Sequence, residues 1–175
     1  MLRLLACSSC LAVVVALAVA SAGAEQSRGP ISLDDLTRNA LVIVEGKVES
    51  VASAWNADRT QIRTTVHIKA DAFYKGDEGV GAIDIVLLGG AVGEDGLAII
   101  GQPEFRSGEH VFVFLRADWK GNDVPVVQMD NGKFTVSTKD DGTEILVNAV
   151  GARYAKTVVL ASIGVMNSAS TGGRP

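Results

Sequence analysis

Apolar and polar residues alternate along two long stretches of this chain, residues 41–51 and 61–73. In the first stretch, the apolar side carries Val42, Val44 and Val48. In the second stretch, the residues of the polar side are Arg63, Thr65, His67, Lys69 and Asp71. A period of two places alternate side chains on opposite faces of a β-strand, so both stretches are predicted to be long strands with one buried face.

Two shorter stretches are apolar at almost every position. They cover residues 82–88 and 110–116, and a continuous apolar stretch between turn residues indicates a strand that is covered on both faces. Residues 89–96 contain four glycines and predict a flexible loop. Residues 97–100 are predicted to form a short strand that ends before Pro103.

Two dipeptides predict hairpins in the second half of the chain. The Asn-Gly pair at 131–132 predicts a turn between strands at residues 124–129 and 133–138. The Asp-Gly pair at 141–142 predicts a second hairpin, in which residues 144–148 form the returning strand.

One helix start is evident before the first strand. Ser32 can cap a helix, and Asp35 lies three residues later, where its carboxylate can answer the amide of the cap. The helix is predicted to end near residues 39–40. Residues 152–166 are apolar without a clear period and fit a helix or a strand equally.

These elements predict an all-β protein with one short N-terminal helix. Many short strands with frequent glycine turns are typical of an antiparallel barrel, and closure of the barrel protects strand edges. We predict a single barrel domain over residues 25–166 and a disordered polar tail over residues 167–175.

The first 24 residues have the features of a cleavable export signal. Arg3 gives a positive start, residues 11–19 are uniformly apolar, and residues 22–24 have the small-x-small pattern of a cleavage site. Cys7 and Cys10, the two cysteines of the chain, both lie in this segment. An exported domain without disulfides is expected in the bacterial periplasm or outside the cell, with no stable membrane anchor after cleavage.

The composition of the mature chain excludes several classes of function. It holds 15 basic and 20 acidic residues, a net charge of −5 that argues against nucleic acid as a partner. It has no thiol, and its two histidines, His67 and His110, are too few for a typical zinc site. No Gly-x-Ser-x-Gly element is present. We therefore predict no enzymatic activity, no metal and no cofactor.

Three segments carry a resemblance to a known family. Residues 41–48, 66–76 and 108–115 recur in this order in the OB-fold barrel of the netrin-like group, which includes the tissue inhibitors of metalloproteinases. The same pattern is similar to that of exported domains found beside bacterial matrixin-like peptidases. The resemblance covers about residues 32–136. It implies an OB-fold-like antiparallel barrel, with an exported peptidase as the partner.

Two regions are candidates for binding. Arg63, His67 and Lys69 form the mixed polar strip of the second long strand, and His110 opens a later strand at the barrel rim. The loop over residues 89–103 is long for a strand connection, and long irregular loops often carry function.

Phe105 follows that loop and is the aromatic candidate for a binding anchor. Alternatively, the loop is a simple connection between strands, and its apolar end folds back as a strand. These features predict a non-catalytic exported domain that binds a protein or an envelope component. The alternative function is that of an accessory or inhibitor of an exported peptidase.

Overall fold

The computed structural model describes residues 32–76 and 81–171, with side chains described as far as residue 164. The predicted export signal, both cysteines and residues 172–175 of the predicted tail lie outside the described residues. The fold is mostly β, and its main sheet is antiparallel, as the sequence predicted.

The predicted N-terminal helix is present as α1, Leu33–Asn39. Ser32 caps it, because its hydroxyl accepts a hydrogen bond from the Asp35 amide at 3.1 Å. The same hydroxyl donates to the Asp35 carboxylate at 2.8 Å, so that the two side chains of the predicted cap contact each other. Leu33 and Leu36 are buried on the face that meets the sheet.

The described residues form nine strands. They are β1 (Val42–Trp55), β2 (Ile62–Lys75), β3 (Ala82–Leu88), β4 (Gly90–Val92), β5 (Asp95–Leu97), β6 (His110–Leu115), β7 (Lys133–Thr138), β8 (Glu144–Asn148) and β9 (Arg153–Ala155). Seven of these strands form one sheet in the order β3-β2-β1-β6-β7-β8-β9, while β4 and β5 form a separate hairpin. In the described residues this sheet therefore ends in two edges, at β3 and at β9, and its pairing does not close into a barrel.

One face of the sheet encloses the first apolar core. Its buried members come mainly from the inward positions of β1, β2, β3 and β6, together with Phe105, Trp119 and Val126. The apolar side predicted for the first long strand is buried there, since Val42, Val44 and Val48 all belong to this core. Alternation along the strand was enough to identify these positions.

The second core lies on the opposite face of the sheet, beneath the two helices. Val159 and Ile163 of the helix α2, Lys156–Thr171, belong to the same core as Phe112 and Phe114 of β6. Strand β6 is buried from both sides as predicted. Strand β3 is not, because Asp84 on its outer face is exposed, so the expectation of two covered faces was wrong for residues 82–88.

Helix α2 is also a correction to the one-helix prediction. The open choice for residues 152–166 resolves into β9 followed by α2, and the helix continues to Thr171, into the segment predicted to be a disordered tail. Val159 and Ile163 are four residues apart, which places both on one helical face. Their neighbours are small or apolar, and this hides the helical period in the sequence.

Two predicted strands are replaced by turns. The Asn-Gly pair at 131–132 lies in a 3₁₀ helix, Met129–Gly132, because Gln128 and Met129 both have positive φ and turn the chain early. The strand predicted at 124–129 is reduced to one bridge, between Leu115 and Val126. Of the strand predicted at 97–100, only Leu97 lies in a strand, as the last residue of β5. By contrast, β7 and β8 form the hairpin predicted from the Asp-Gly pair.

Candidate functional site

Arg63, His67 and Lys69 lie along the outer face of β2 at alternate positions, as the sequence predicted. The structure shows that acidic neighbours engage two of them. The Arg63 guanidinium lies 3.1 Å from an Asp123 carboxylate oxygen. Because this cation already has an anionic partner within the chain, it is a weak candidate for an anchor that binds a second protein.

His67 lies between two carboxylates on neighbouring strands. Its Nδ1 is 2.6 Å from Oδ1 of Asp84 on β3, and its Nε2 is 3.5 Å from Oε2 of Glu49 on β1. This arrangement ties three adjacent strands together at the surface. Both carboxylates remain largely exposed, so the outer face is acidic at this point.

His110 joins the same outer face through Asp71, and it also reaches a buried carboxylate. Its Nε2 lies 3.4 Å from Asp71 Oδ2 and 3.1 Å from Glu45 Oε1, and neither contact has hydrogen-bond geometry. Glu45 is the unexpected member, because it alternates with Val44 and so falls on the polar side of residues 41–51. Only 4% of its side chain is exposed.

Two further groups complete the environment of Glu45. The Tyr74 hydroxyl donates to Glu45 Oε2 at 2.6 Å, and the Lys156 ammonium donates to Oε1 at 2.7 Å and to Glu144 at 2.9 Å. Burial, together with the hydrogen bond to the Glu45 carboxylate, raises the pKa of Tyr74 to about 12. Burial lowers the pKa of Lys156, but its bonds to the two carboxylates outweigh this, so that its pKa is raised.

This Glu45 network is suited to holding the fold together. It joins β1, β2, β6, β8 and the first residue of α2 around one carboxylate that is closed to solvent. A reacting group must be within reach of a substrate, and Glu45 is not. We therefore assign the network to the docking of α2.

Phe105, predicted as a binding anchor, lies in the first core and is therefore unavailable to a partner. The Lys133 ammonium lies over its ring, 5.4 Å from the ring centre. Lys133 in turn bonds to Glu109, whose carboxylate also accepts from the Thr135 hydroxyl. Burial raises the pKa of Glu109, but these bonds and the Lys133 charge lower it further, so the net shift is downward.

The segment that contains Phe105 exposes other side chains at the surface. We call residues 97–106 the ridge. Ile100 stands at its tip with 98% of its surface exposed, and Leu97 is also exposed. Single exposed apolar residues are common on protein surfaces, so the exposure of Ile100 matters because of what surrounds it.

The tip of the ridge is a tight turn that the fold holds in place. The Gln102 amide donates to the Ile99 carbonyl, and Gly101 has φ of 78°, as the third residue of a type II turn requires. The Gln102 side chain donates to the carbonyls of Leu88 and Asp123, each at 3.3 Å. Ile100 is therefore presented by a braced turn.

A cleft lies on each side of the ridge. The mouth cleft, about 590 Å³, opens between the ridge and the ends of β1, β2 and β3, and its lining includes Val51, Leu87 and Leu97. The hairpin cleft, about 810 Å³, opens between the ridge and the β7–β8 hairpin, and its lining includes Asp130, Thr135 and Arg153. Five ridge residues line both clefts; they are Ile99, Gln102, Pro103, Glu104 and Arg106.

The two clefts differ in chemistry. The mouth cleft is mainly apolar, whereas the hairpin cleft carries acidic and basic side chains from Glu104 to Arg153. Asp130 lies in the hairpin cleft, and burial together with the charge of Glu104 raises its pKa. Across the described residues, no group of three or more His, Cys, Asp or Glu side chains is arranged to hold a metal ion.

The chain gives no significant match to protein-family models, to curated proteins or to solved structures. Within the described residues, no helix is both long and apolar enough to cross a membrane.

Sequence reasoning identified the loop but not its parts. The length and glycines of the loop at 89–103 predict a binding element. In the structure this loop contains the β4–β5 hairpin and most of the ridge. The hairpin lies tightly on the sheet, since a Cβ on Gly90 would be 2.3 Å from the Thr64 hydroxyl. The bracing role of Gln102 and the burial of Phe105 depend on contacts distant in sequence, which no local pattern reveals.

Proposed function

We propose that this protein is a non-catalytic exported binding domain that engages another protein through the ridge. The observation that carries the proposal is the braced turn that presents Ile100, fully exposed, between an apolar and a polar cleft. A partner surface that closes over the ridge buries Ile100 and fills clefts on both sides. An apolar centre with a polar rim is the usual anatomy of a protein interface.

We further propose that the described sheet belongs to an OB-fold-like barrel. The three-strand meander β1-β2-β3 and the pairing of β1 with β6 support this reading. Residues 123–127 add to it, because Pro125 and Val127 bond to the end of β6 while the Asp123 carbonyl accepts from the Leu88 amide of β3. The segment thus bonds to both β3 and the end of β6, which is what a strand that closed an OB-fold-like barrel between them would do.

Site-specific photocrosslinking tests the binding proposal. A photoreactive amino acid placed at Ile100 is expected to crosslink one protein from envelope extract, whereas the same group at Val158 is not. Val158 is a matched control, because it is an apolar residue of α2 that is 56% exposed and lines neither cleft. Ile100→Ser should weaken capture of the crosslinked protein, and Val158→Ser should leave capture unchanged.

The identity of the crosslinked protein decides between the two functions. An exported peptidase whose turnover changes on binding would make this domain its accessory or inhibitor. A non-enzymatic envelope protein supports the simpler binding role. Equal crosslinking from positions 100 and 158, or a turnover lost on changing His67 or His110, would contradict the proposal.

A further inference from the structure

The outer edge of β3 carries backbone groups that are available for pairing. β3 ends the seven-stranded sheet and pairs on one side with β2. The Ala70 amide donates to the Gly81 carbonyl, and the Gly89 amide donates to Ile62 in the same register. In an antiparallel pair, residues that bond to the partner strand alternate with residues that face away from it. The β3 residues that face β2 are Ile83, Ile85 and Leu87.

The alternate residues Ala82, Asp84 and Val86 direct their N–H and C=O groups away from the sheet. At Leu88 the edge is already occupied, because its amide donates to Asp123 at 3.1 Å and its carbonyl accepts from the Gln102 side chain. For the three residues before it, the described part of the chain supplies no backbone partner. Such a row of unpaired groups is a template for another strand.

We propose that this edge, residues 82–86, binds an extended peptide segment of another protein, which adds to the sheet as a further strand. Backbone hydrogen bonds to Ala82, Asp84 and Val86 hold the segment, and the occupied groups of Leu88 limit its length. Recognition by strand addition takes its affinity from the main chain and its specificity from alternate side chains. The inference is independent of the ridge.

The side chains on the outer face of β3 determine which side chains of a bound segment can lie opposite them. Asp84 lies in the middle of the edge; its Oδ1 contacts His67, but 62% of its side chain is exposed, and Glu49 lies beyond His67 on the same face. Opposite charges on directly facing strand residues stabilise pairing, so the segment carries Lys or Arg opposite Asp84. Val86 is half-buried and favours an apolar residue opposite it.

A second copy of this chain is a poorer occupant of the edge. Two β3 strands paired antiparallel about Asp84 would place their carboxylates directly opposite each other, which is destabilising. The mature chain also carries a net charge of −5, so two copies repel each other. Both arguments favour a basic segment from a different protein.

Phage-displayed random heptapeptides selected on the purified protein provide the probe. The enriched peptides are expected to contain Lys or Arg. Val86→Pro removes one outward N–H, and proline is tolerated where the strand N–H faces away from the sheet. This variant should weaken peptide binding by about tenfold, the effect of one or two lost hydrogen bonds. The matched control Val86→Ala keeps the N–H and loses only part of the apolar side-chain contact, so it should weaken peptide binding clearly less than Val86→Pro does.

Hydrogen exchange in the unaltered protein gives an independent measurement, which decides the matter if Val86→Pro fails to fold. The amides of Asp84 and Val86 should exchange quickly in the free protein and slowly with peptide bound. The amide of Ile85, which faces β2, should be slow in both states.

Several outcomes would overturn the proposal. One is that no peptides are enriched. Another is that Val86→Pro binds the peptide as tightly as the wild type does. A third is that the amides of Asp84 and Val86 exchange slowly without peptide. Protection that rises with protein concentration would assign the edge to a second copy. Loss of peptide binding in Ile100→Ser would move the peptide to the ridge, whereas unchanged binding there separates the two sites.

Discussion

At the scale of single residues, Glu45 shows how the sheet and α2 are joined. A carboxylate removed from water is costly unless charges and hydrogen bonds replace the lost hydration. Tyr74 and Lys156 supply those bonds, and Lys156 is itself only 16% exposed. Removal of the Glu45 carboxylate or of the Lys156 ammonium would leave the other charge buried without its main ionic partner.

We expect Glu45→Ala to destabilise the protein by about 3 kcal/mol, because breaking a buried ion pair leaves an uncompensated charge. Glu144→Ala is the matched control. It removes the other, more exposed carboxylate of Lys156 and should cost less than about 1 kcal/mol. Urea unfolding of the two variants measures the difference, and equal costs would contradict the assigned role of Glu45.

Tyr74 predicts how stability depends on alkaline pH. Its pKa in the folded protein is about 12, raised above the ordinary value of 10.0. The unfolded chain therefore loses this proton first as pH rises, so the contribution of Tyr74 is complete below pH 10 and is lost progressively toward pH 12. Tyr74→Phe should reduce the fall in unfolding free energy across this window. An unchanged slope would show that the hydroxyl ionises normally.

At the scale of elements, β6 is the strand on which both cores depend. Val111 and Val113 enter the first core, while Phe112 and Phe114 enter the second. The aromatic side of this strand continues as a chain of ring contacts, from Tyr74 through Phe112 and Phe114 to Phe134. A strand buried on both faces has no side chain that can be truncated without leaving a cavity.

The double variant Val111→Ala with Val113→Ala should therefore lower the unfolding free energy by roughly 1–3 kcal/mol for each valine. The exposed pair Val150→Ala with Val158→Ala removes the same number of atoms from the surface and should have little effect. Calorimetric melting distinguishes the two pairs. Similar melting temperatures would mean that the β6 site collapses around the lost methyl groups.

The elements that sequence analysis predicted correctly are those whose signal is local. Alternation defined β1 and β2, a capping residue defined α1, and an Asp-Gly turn defined the β7–β8 hairpin. These patterns depend on neighbouring residues and persist in the folded chain.

The predictions that were wrong or incomplete depend on contacts between distant segments. Glu45 appeared to face solvent because α2, which covers it, begins 111 residues later along the chain. Phe105 was predicted to be a binding anchor, but it packs into a core built by four strands. The Asn-Gly signal at 131–132 was overridden when the chain turned at Gln128. A local sequence pattern does not show which distant segment of the chain packs over a residue.

At the scale of the whole molecule, charge and topology are consistent with a domain that works by contact. Its described surface offers a braced ridge and an unpaired strand edge, while the buried Glu45 network joins α2 to the sheet. The two proposed contact surfaces meet at Leu88, whose amide donates to Asp123 and whose carbonyl accepts from Gln102 of the ridge.

The first 24 residues predict how the protein reaches its place of action. We expect the full chain, expressed in a bacterial host, to be exported and cleaved after Ala24, so that the mature protein begins at Glu25. Cleavage needs small residues at the last and third-last positions of the leader. Ala24→Asp should block processing, whereas Gly23→Asp, at the tolerant position between them, should not. Mass measurement of the exported protein distinguishes these outcomes, and a full-length or lipid-modified product held in the membrane would contradict the prediction.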